Sequence, residues 1–288
     1  MSVPRHLFTI DVEEYYQVSA LEPYVPRSAW DAQESRVERS TDLLLDLLAA
    51  HDARATCFTV GMVAERHPAL VRRIADAGHE VASHTWDHRR VTDQTPGAFR
   101  TSVRRTRQLL EDLTGGPVVG FRAPSYSIVP GCEWALDVLI EEGYQYDSSL
   151  FPVRRRGYGY PGGQRDPHWI ERPAGRLLEV PPVTLRRFGK NLPAAGGAYL
   201  RLLPYGLVRA ALRQAERRGV SGTFYVHPWE VDPGQPRYAV SPLTRIRHYG
   251  GLGRMAGRIA RLLEEFRFTA IRDGVPEARA RAAEGLLG

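Results

Sequence analysis

Short apolar runs alternate along this chain with longer stretches whose apolar positions recur every three to four residues. Leu7-Phe8-Thr9-Ile10 reads as a strand that runs into an acidic cluster, Asp11-Val12-Glu13-Glu14. Leu43, Leu44, Leu47 and Leu48 then repeat at helical spacing, with Ser40 as the expected N-cap. Further strands are predicted over 55–60, 80–83, 118–121, 177–180, 223–226 and 268–271. Helices are predicted over 68–77, 96–113, 133–142, 205–218 and 254–266. Gly78, Gly115-Gly116 and Gly143 stand where three of these helices stop. Residues 151–175 are rich in Gly, Pro and Arg and read as a surface loop, whose 157–168 portion could border a polymer groove. The tail after Pro276 reads as a frayed helix.

This alternation predicts parallel β/α units. In such folds the carboxyl ends of the strands form one face, and active sites gather there. Polar groups stand where the predicted strands end: Asp11 and Glu13, His84, Arg122, His227. The architecture therefore brings together residues that lie far apart in the chain.

Composition adds limits. At 288 residues with 43% hydrophobic and 25% charged residues, the chain suits one large globular domain. The net charge of +6 comes almost wholly from arginine, with Lys190 the one lysine. The basic residues are scattered. No zinc finger, RNP-like motif or basic helix with interleaved aromatics is present, so nucleic acid is not an expected partner. Cys57 and Cys132 form no disulfide framework, and Cys57 sits inside a strand-like run as a small apolar residue. No stretch approaches the ~18 apolar residues of a membrane helix. The first residues hold no apolar run of signal-peptide length, which leads us to expect a cytoplasmic protein.

The candidate chemistry starts at Ser83-His84-Thr85-Trp86-Asp87-His88. Two histidines four apart share one side of a helical turn, where both imidazoles reach one ion. The acidic cluster supplies a third group. Asp11 and Glu13, two apart in extended chain, face the same way, while Glu14 faces the other. Like charges at a strand end call for a compensating cation. Glu13, His84 and His88 would hold the metal and leave an open position, as catalytic sites do. Asp11 is then free to act as general base. Arg122, in Phe121-Arg122-Ala123-Pro124-Ser125-Tyr126, would hold Asp11 through a bidentate pair. His227, in Tyr225-Val226-His227-Pro228-Trp229, could protonate a departing amine. Trp229 and Tyr126 would either stack on a sugar ring or pack at the rim.

In this order these segments resemble the polysaccharide deacetylases, carbohydrate esterases with a NodB-like domain. The motifs are Thr9-Ile10-Asp11-Val12-Glu13, His84-Thr85-Trp86-Asp87-His88, Phe121 to Tyr126, Tyr146-Asp147-Ser148-Ser149 and Tyr225-Val226-His227. The resemblance covers about residues 5–230, within a single domain over 1–288 that carries a C-terminal extension at about 231–288. Residues 9–18, His227-Pro228-Trp229-Glu230-Val231-Asp232-Pro233 and Gln235-Pro236-Arg237 are similar to the deacetylases of exopolysaccharide loci linked to the PEP-CTERM/exosortase system.

The resemblance implies an α/β fold, a distorted (β/α)7 barrel. It implies one divalent metal, usually zinc, with cobalt or nickel as substitutes. It implies Asp11 as base, Arg122 as the base's partner, His227 as acid and an oxyanion contact from the Tyr126 amide. Asp147 would support His227 at the substrate side. The implied reaction removes N-acetyl groups from an N-acetylated oligo- or polysaccharide in exopolysaccharide biosynthesis. One departure stands out: adjacent aspartates are common at the first motif, and here Asp11 and Glu13 flank a valine. Readings that compete are an O-acetyl esterase, a metal-independent cyclic amide hydrolase, an iron oxygenase using the same two His and one carboxylate, and a non-catalytic carbohydrate-binding protein.

Overall fold

The computed structural model describes residues 4–155 and 157–275, so the expected helix after Pro276 lies outside the described residues. The strands are β1 (His6–Val12), β2 (Thr56–Thr59), β3 (Glu80–Ser83), β4 (Gly120–Phe121), β5 (Tyr146–Asp147), β6 (His168–Arg172), β7 (Gly175–Glu179), β8 (Thr184–Arg187), β9 (Lys190–Pro193), β10 (Thr223–Val226) and β11 (Phe268–Thr269). The helices are α1 (Val37–Ala50), α2 (Gly61–Arg66), α3 (Pro68–Asp76), α4 (Pro96–Thr114), α5 (Trp134–Glu141), α6 (Gly197–Leu202), α7 (Tyr205–Arg217), α8 (Pro242–Tyr249), α9 (Met255–Glu265) and α10 (Ile271–Gly274).

The main sheet runs β10-β1-β2-β3-β4-β5-β7-β6, with β11 also pairing β1. All its pairs are parallel except β6 with β7. Every residue of β1 is buried, as expected of a central strand covered on both faces. The sheet curls toward a distorted (β/α) barrel. Beyond β7 the chain pairs with β10 through isolated bridges, Pro182 with Thr223 and Gly196 with Tyr225. Among the described residues no continuous strand closes the ring.

The largest apolar cluster packs the sheet against its helices, and a separate one on the other face of the strands gathers Leu7, Phe58, Ala82, Tyr146 and Leu178. The largest joins Phe8, Ile10 and Val12 of β1 to Leu44 and Leu48 of α1, Val208 and Leu212 of α7, and Ile259 and Leu262 of α9. Early strands and late helices thus share a core. The 3.6-residue period explains the helices: α1 buries Val37, Thr41, Leu44 and Leu48 on one stripe. The Thr95 side chain caps α4 by accepting the Ala98 N–H, and Gly115, at φ 68°, ends it in the left-handed conformation.

Two expectations are corrected here. Ser40 is not an N-cap: α1 starts three residues earlier, and Ser40 is buried within it. The apolar repeat that set the prediction begins at Leu43, nearly two turns after the helix does. The stretch 151–175 is not all loop, because His168–Arg172 pairs antiparallel with β7. Its residues are only partly buried, so no apolar alternation marks it.

Gly120 of β4 stands opposite Tyr146 of β5. A Cβ there would lie 2.1 Å from the Tyr146 hydroxyl. That ring cannot swing aside freely, since its hydroxyl donates to Glu80 Oε1 at 2.9 Å. Gly120→Ala should therefore cost ~1–3 kcal/mol through overpacking. Equilibrium urea unfolding would show a lower midpoint at unchanged slope.

Candidate active site

Four strand ends converge. β1 delivers Asp11 and Glu13, β3 runs into His84, β4 into Arg122 and β10 into His227. The parallel registers Asp11–Phe58, Phe58–Ala82, Ser83–Phe121 and Thr9–Tyr225 hold these ends at one level. Glu14 turns away, as alternation requires. Its carboxylate accepts from the Ser35 hydroxyl and from the Arg36 backbone N–H at 3.1 and 3.2 Å. It anchors the loop before α1 and takes no part in the cluster.

Glu13, His84 and His88 are all buried, and one potential ligand atom from each lies within 4.8 Å of the others. Glu13 Oε2 sits 2.6 Å from His88 Nε2 and 4.0 Å from His84 Nε2. Neither contact has hydrogen-bond geometry, so Oε2 is a buried oxygen without a hydrogen-bond partner. Its sister Oε1 accepts the Trp229 indole N–H at 3.2 Å. His84 Nδ1 is 2.7 Å from the Arg122 carbonyl oxygen. That bond puts the proton on Nδ1 and leaves the Nε2 lone pair aimed at the cluster, as at histidine metal sites. An orphaned anionic oxygen facing two imidazole nitrogens fits a divalent cation. The direction of the charge effects agrees. Burial opposes ionisation of Glu13, but His88, His227 and His84 together pull its pKa below the usual value. Burial and the neighbouring His88 push His84 well down, so it is neutral and able to ligate.

The histidine pair is not helical. The segment from His84 to His88 is irregular, and Thr85 and His88 adopt left-handed backbone at φ 63° and 54°. This chain reversal, not a helical turn, brings the ring centroids to 5.2 Å. Arg27 donates to the carbonyls of Asp87 and His88 and secures the loop.

Asp11 stands beside the cluster. Arg122 is fully buried and reaches Asp11 Oδ1 through one nitrogen at 2.6 Å. The same nitrogen donates to Thr9 Oγ1 at 2.7 Å. The rest of the guanidinium is spent on Ser148, on its hydroxyl at 2.8 Å and its carbonyl at 3.2 Å. The expected bidentate pair is thus a single contact, because Ser148 competes for the other donors. This leaves Asp11 Oδ2 free, 3.8 Å from His227 Nε2.

His227 Nε2 is also 3.8 Å from Glu13 Oε1. Its Nδ1 lies 3.0 Å from Glu230 Oε2, which also accepts the His227 backbone N–H at 3.1 Å. Burial works against charge on the imidazole, yet Glu13 and Glu230 outweigh it and raise the pKa to about 9. Glu230 in turn bonds Arg201 Nε at 2.9 Å, both side chains being fully buried. Burial alone would raise the Glu230 pKa; Arg201 and His227 hold it at about 2. Sequence reasoning missed Glu230 and Arg201. The i, i+3 spacing of His227 and Glu230 was the available signal.

Three expected substrate contacts are placed elsewhere. Asp147 is fully buried and bonded to the Ser149 hydroxyl at 2.5 Å. Burial lifts its pKa to about 6, and its neighbour across the sheet is Glu179. It supports the floor under Arg122, since Ser149 also receives the Ala123 N–H at 2.8 Å. His227 finds its carboxylate in Glu230 instead. Trp229 is only 7% exposed and lies sandwiched between His227 and His248, with centroids at 5.2 and 4.4 Å. It braces Glu13 and offers no open face to a sugar. The Tyr126 amide donates to the Ala123 carbonyl at 3.1 Å, and its buried ring packs on Phe151 and Tyr225. Its N–H is therefore committed within the turn that follows Arg122.

Comparison with known proteins now adds to this geometry. Residues 29–135 match the family model described as polysaccharide deacetylase. Residues 148–275 match a domain of unknown function, DUF3473. A peptidoglycan-N-acetylglucosamine deacetylase of Listeria monocytogenes is 30% identical over 103 residues, covering 33% of this chain and 22% of that protein. One from Bacillus cereus is 28% identical over 134 residues, covering 42% of this chain and 48% of its own length. A chitooligosaccharide deacetylase of Rhizobium leguminosarum bv. trifolii is 39% identical over 70 residues, covering 24% and 33%. The matches thus span less than half the length of these curated relatives. Among solved structures, a candidate polysaccharide deacetylase from Mycobacterium smegmatis aligns over 97% of this chain and 92% of its own, with TM-score 0.65 and 21% identity. Puue allantoinase aligns over 96% and 89%, with TM-score 0.61 and 19% identity. These likenesses establish the fold.

Proposed function

We propose that this chain, whose residues 29–135 match the polysaccharide deacetylase family model, removes acetyl groups from N-acetylhexosamine units of an oligo- or polysaccharide. The observation that carries the reading is the buried Glu13 oxygen that faces His84 and His88. A site of this kind suits one divalent cation, and two nitrogen donors with one carboxylate favour zinc, with cobalt or nickel as substitutes. When bound, such an ion lowers the pKa of a water and polarises an acyl oxygen.

The chain's own residues do the rest. Arg122 holds Asp11 through Oδ1 and leaves Oδ2 to take a proton from the attacking water. The water oxygen joins the acyl carbon and the carbon–nitrogen bond breaks. His227 Nε2, 3.8 Å from Asp11 Oδ2, gives its proton to the departing amine. The products are acetate and a free amino sugar, and the two protons balance. Base and acid thus lie side by side next to Glu13.

The polymer class is supported by the named activities of the relatives, which act on peptidoglycan and chitooligosaccharides. An exopolysaccharide role rests on the resemblance of residues 9–18 and of the segment from His227 to Arg237 to the deacetylases of such loci. No helix of the described residues is long and apolar enough to cross a membrane.

Purified protein incubated with a chitin-type oligomer should release acetate. Chelation should reduce the rate at least ~100-fold, because several kcal/mol of stabilisation leave with the ion. Zinc or cobalt should restore it. Acetate release that persists in the chelated protein would refute the metal-dependent reading.

A further inference from the structure

We infer that the segment matching the domain of unknown function, residues 148–275, completes the catalytic site, and that Glu230, clamped by Arg201, is the positioning residue that orients His227. The inference extends the deacetylase reading and in its activity arm rests on it.

The observations come from one short stretch. His227 follows β10 and caps a single 3-10 turn, Pro228–Val231. This turn places three side chains around the site: His227 toward Asp11, Trp229 on Glu13, and Glu230 behind the imidazole. Glu230 Oε2 takes both the backbone and the ring N–H of His227. Its other oxygen takes Arg201. Arg201 is fixed in turn by the carbonyls of Gly250 and Arg247. Both carboxylate oxygens are therefore committed, and the imidazole is held in one orientation.

Space confirms the fit. Gly197, the first residue of α6, has no side chain, and a Cβ there would lie 1.9 Å from Glu230 Oε2. Glycine at 197 lets the carboxylate seat behind His227. Meanwhile Asp147, the strand-end carboxylate expected to serve His227, accepts from Ser149 through Oδ1 and makes no hydrogen bond to His227. A carboxylate from the neighbouring turn does what the strand end does not. Glu230 accepts a hydrogen bond from the Nδ1 proton and stabilises the imidazolium, so that Nε2 faces Asp11 carrying the proton it delivers, the orientation that a carboxylate partner supplies.

The consequence is selective. An amine is a poor leaving group and must be protonated as it departs, whereas a 4-nitrophenolate leaves without help. Loss of the His227 orientation therefore slows amide hydrolysis far more than aryl ester hydrolysis. The zinc-loaded 288-residue chain and its Glu230→Gln and Gly197→Ala variants are assayed on penta-N-acetylchitopentaose and on 4-nitrophenyl acetate. The ester-to-amide rate ratio is expected to rise ~100-fold in both, within the range of a lost general acid, through kcat with little change in KM. Equal loss on both substrates would overturn the proposal, since it would show a structural role only. An unchanged amide rate would overturn it too.

A second readout does not depend on turnover. Proton–nitrogen spectra of the imidazoles should show a downfield His227 Nδ1 proton in the wild type and in Asp147→Asn. It should be lost in Glu230→Gln and Gly197→Ala. A signal that survives in those two and vanishes in Asp147→Asn would assign the orienting role to Asp147. If the wild type shows the signal but hydrolyses no N-acetylated sugar, the deacetylase reading fails while the assignment of Glu230 stands.

Discussion

Asp11→Asn should lower deacetylation ~10³–10⁴-fold and leave the metal bound. The amide oxygen can still accept from Arg122, so the local geometry survives. What is lost is the carboxylate that takes the proton from water, and a positioned general base contributes up to this amount. Asp11 stands outside the cluster of Glu13, His84 and His88, so zinc stoichiometry should stay at that of the wild type. His84→Ala is the contrast, losing zinc and turnover together. The check is kcat beside metal content for each variant. Retained activity in Asp11→Asn, or loss of its zinc, would move Asp11 out of the role of base.

Arg122→Met should produce the largest loss of stability. Arg122 is fully buried and donates to Asp11, Thr9 and Ser148. Its guanidinium carbon also lies 4.1 Å from the centre of the Phe58 ring. Replacing one partner of a buried ion pair strands the other, at ~3–5 kcal/mol. For a chain of this size that is a fall of order 10 °C in the thermal midpoint. The double variant Arg122→Met/Asp11→Leu should recover part of it, because no charge is then left unpaired. Calorimetry on the wild type and the two variants measures this. A single variant within ~1 kcal/mol of the wild type would mean that Asp11 is solvated, as surface pairs are.

The strand ends were legible because parallel strands buried on both faces read as apolar runs, and the first polar residue after each run marks the site face. Asp11, Glu13, His84, Arg122 and His227 were found this way. The reversal between His84 and His88 was not, since left-handed Thr85 and His88 have no glycine to betray them. Spacing alone favoured a helix and gave the right neighbours for the wrong reason. The supports of the site were hidden because they depend on long-range pairing. Trp229 meets Glu13 across 216 positions and Arg201 meets Glu230 across 29. An aromatic beside a catalytic histidine invites a stacking role. Only its burial and its indole bond reveal a brace. Ring closure was hidden likewise, because two isolated bridges leave no strand pattern to read.

Anomalous diffraction at the zinc edge, from crystals grown with zinc, measures the central claim directly. One peak should appear within ~2.0–2.2 Å of His84 Nε2, His88 Nε2 and a Glu13 oxygen, the bonding range for these donors. A peak bound elsewhere, or full zinc occupancy that leaves Glu13 uncoordinated, would contradict the account.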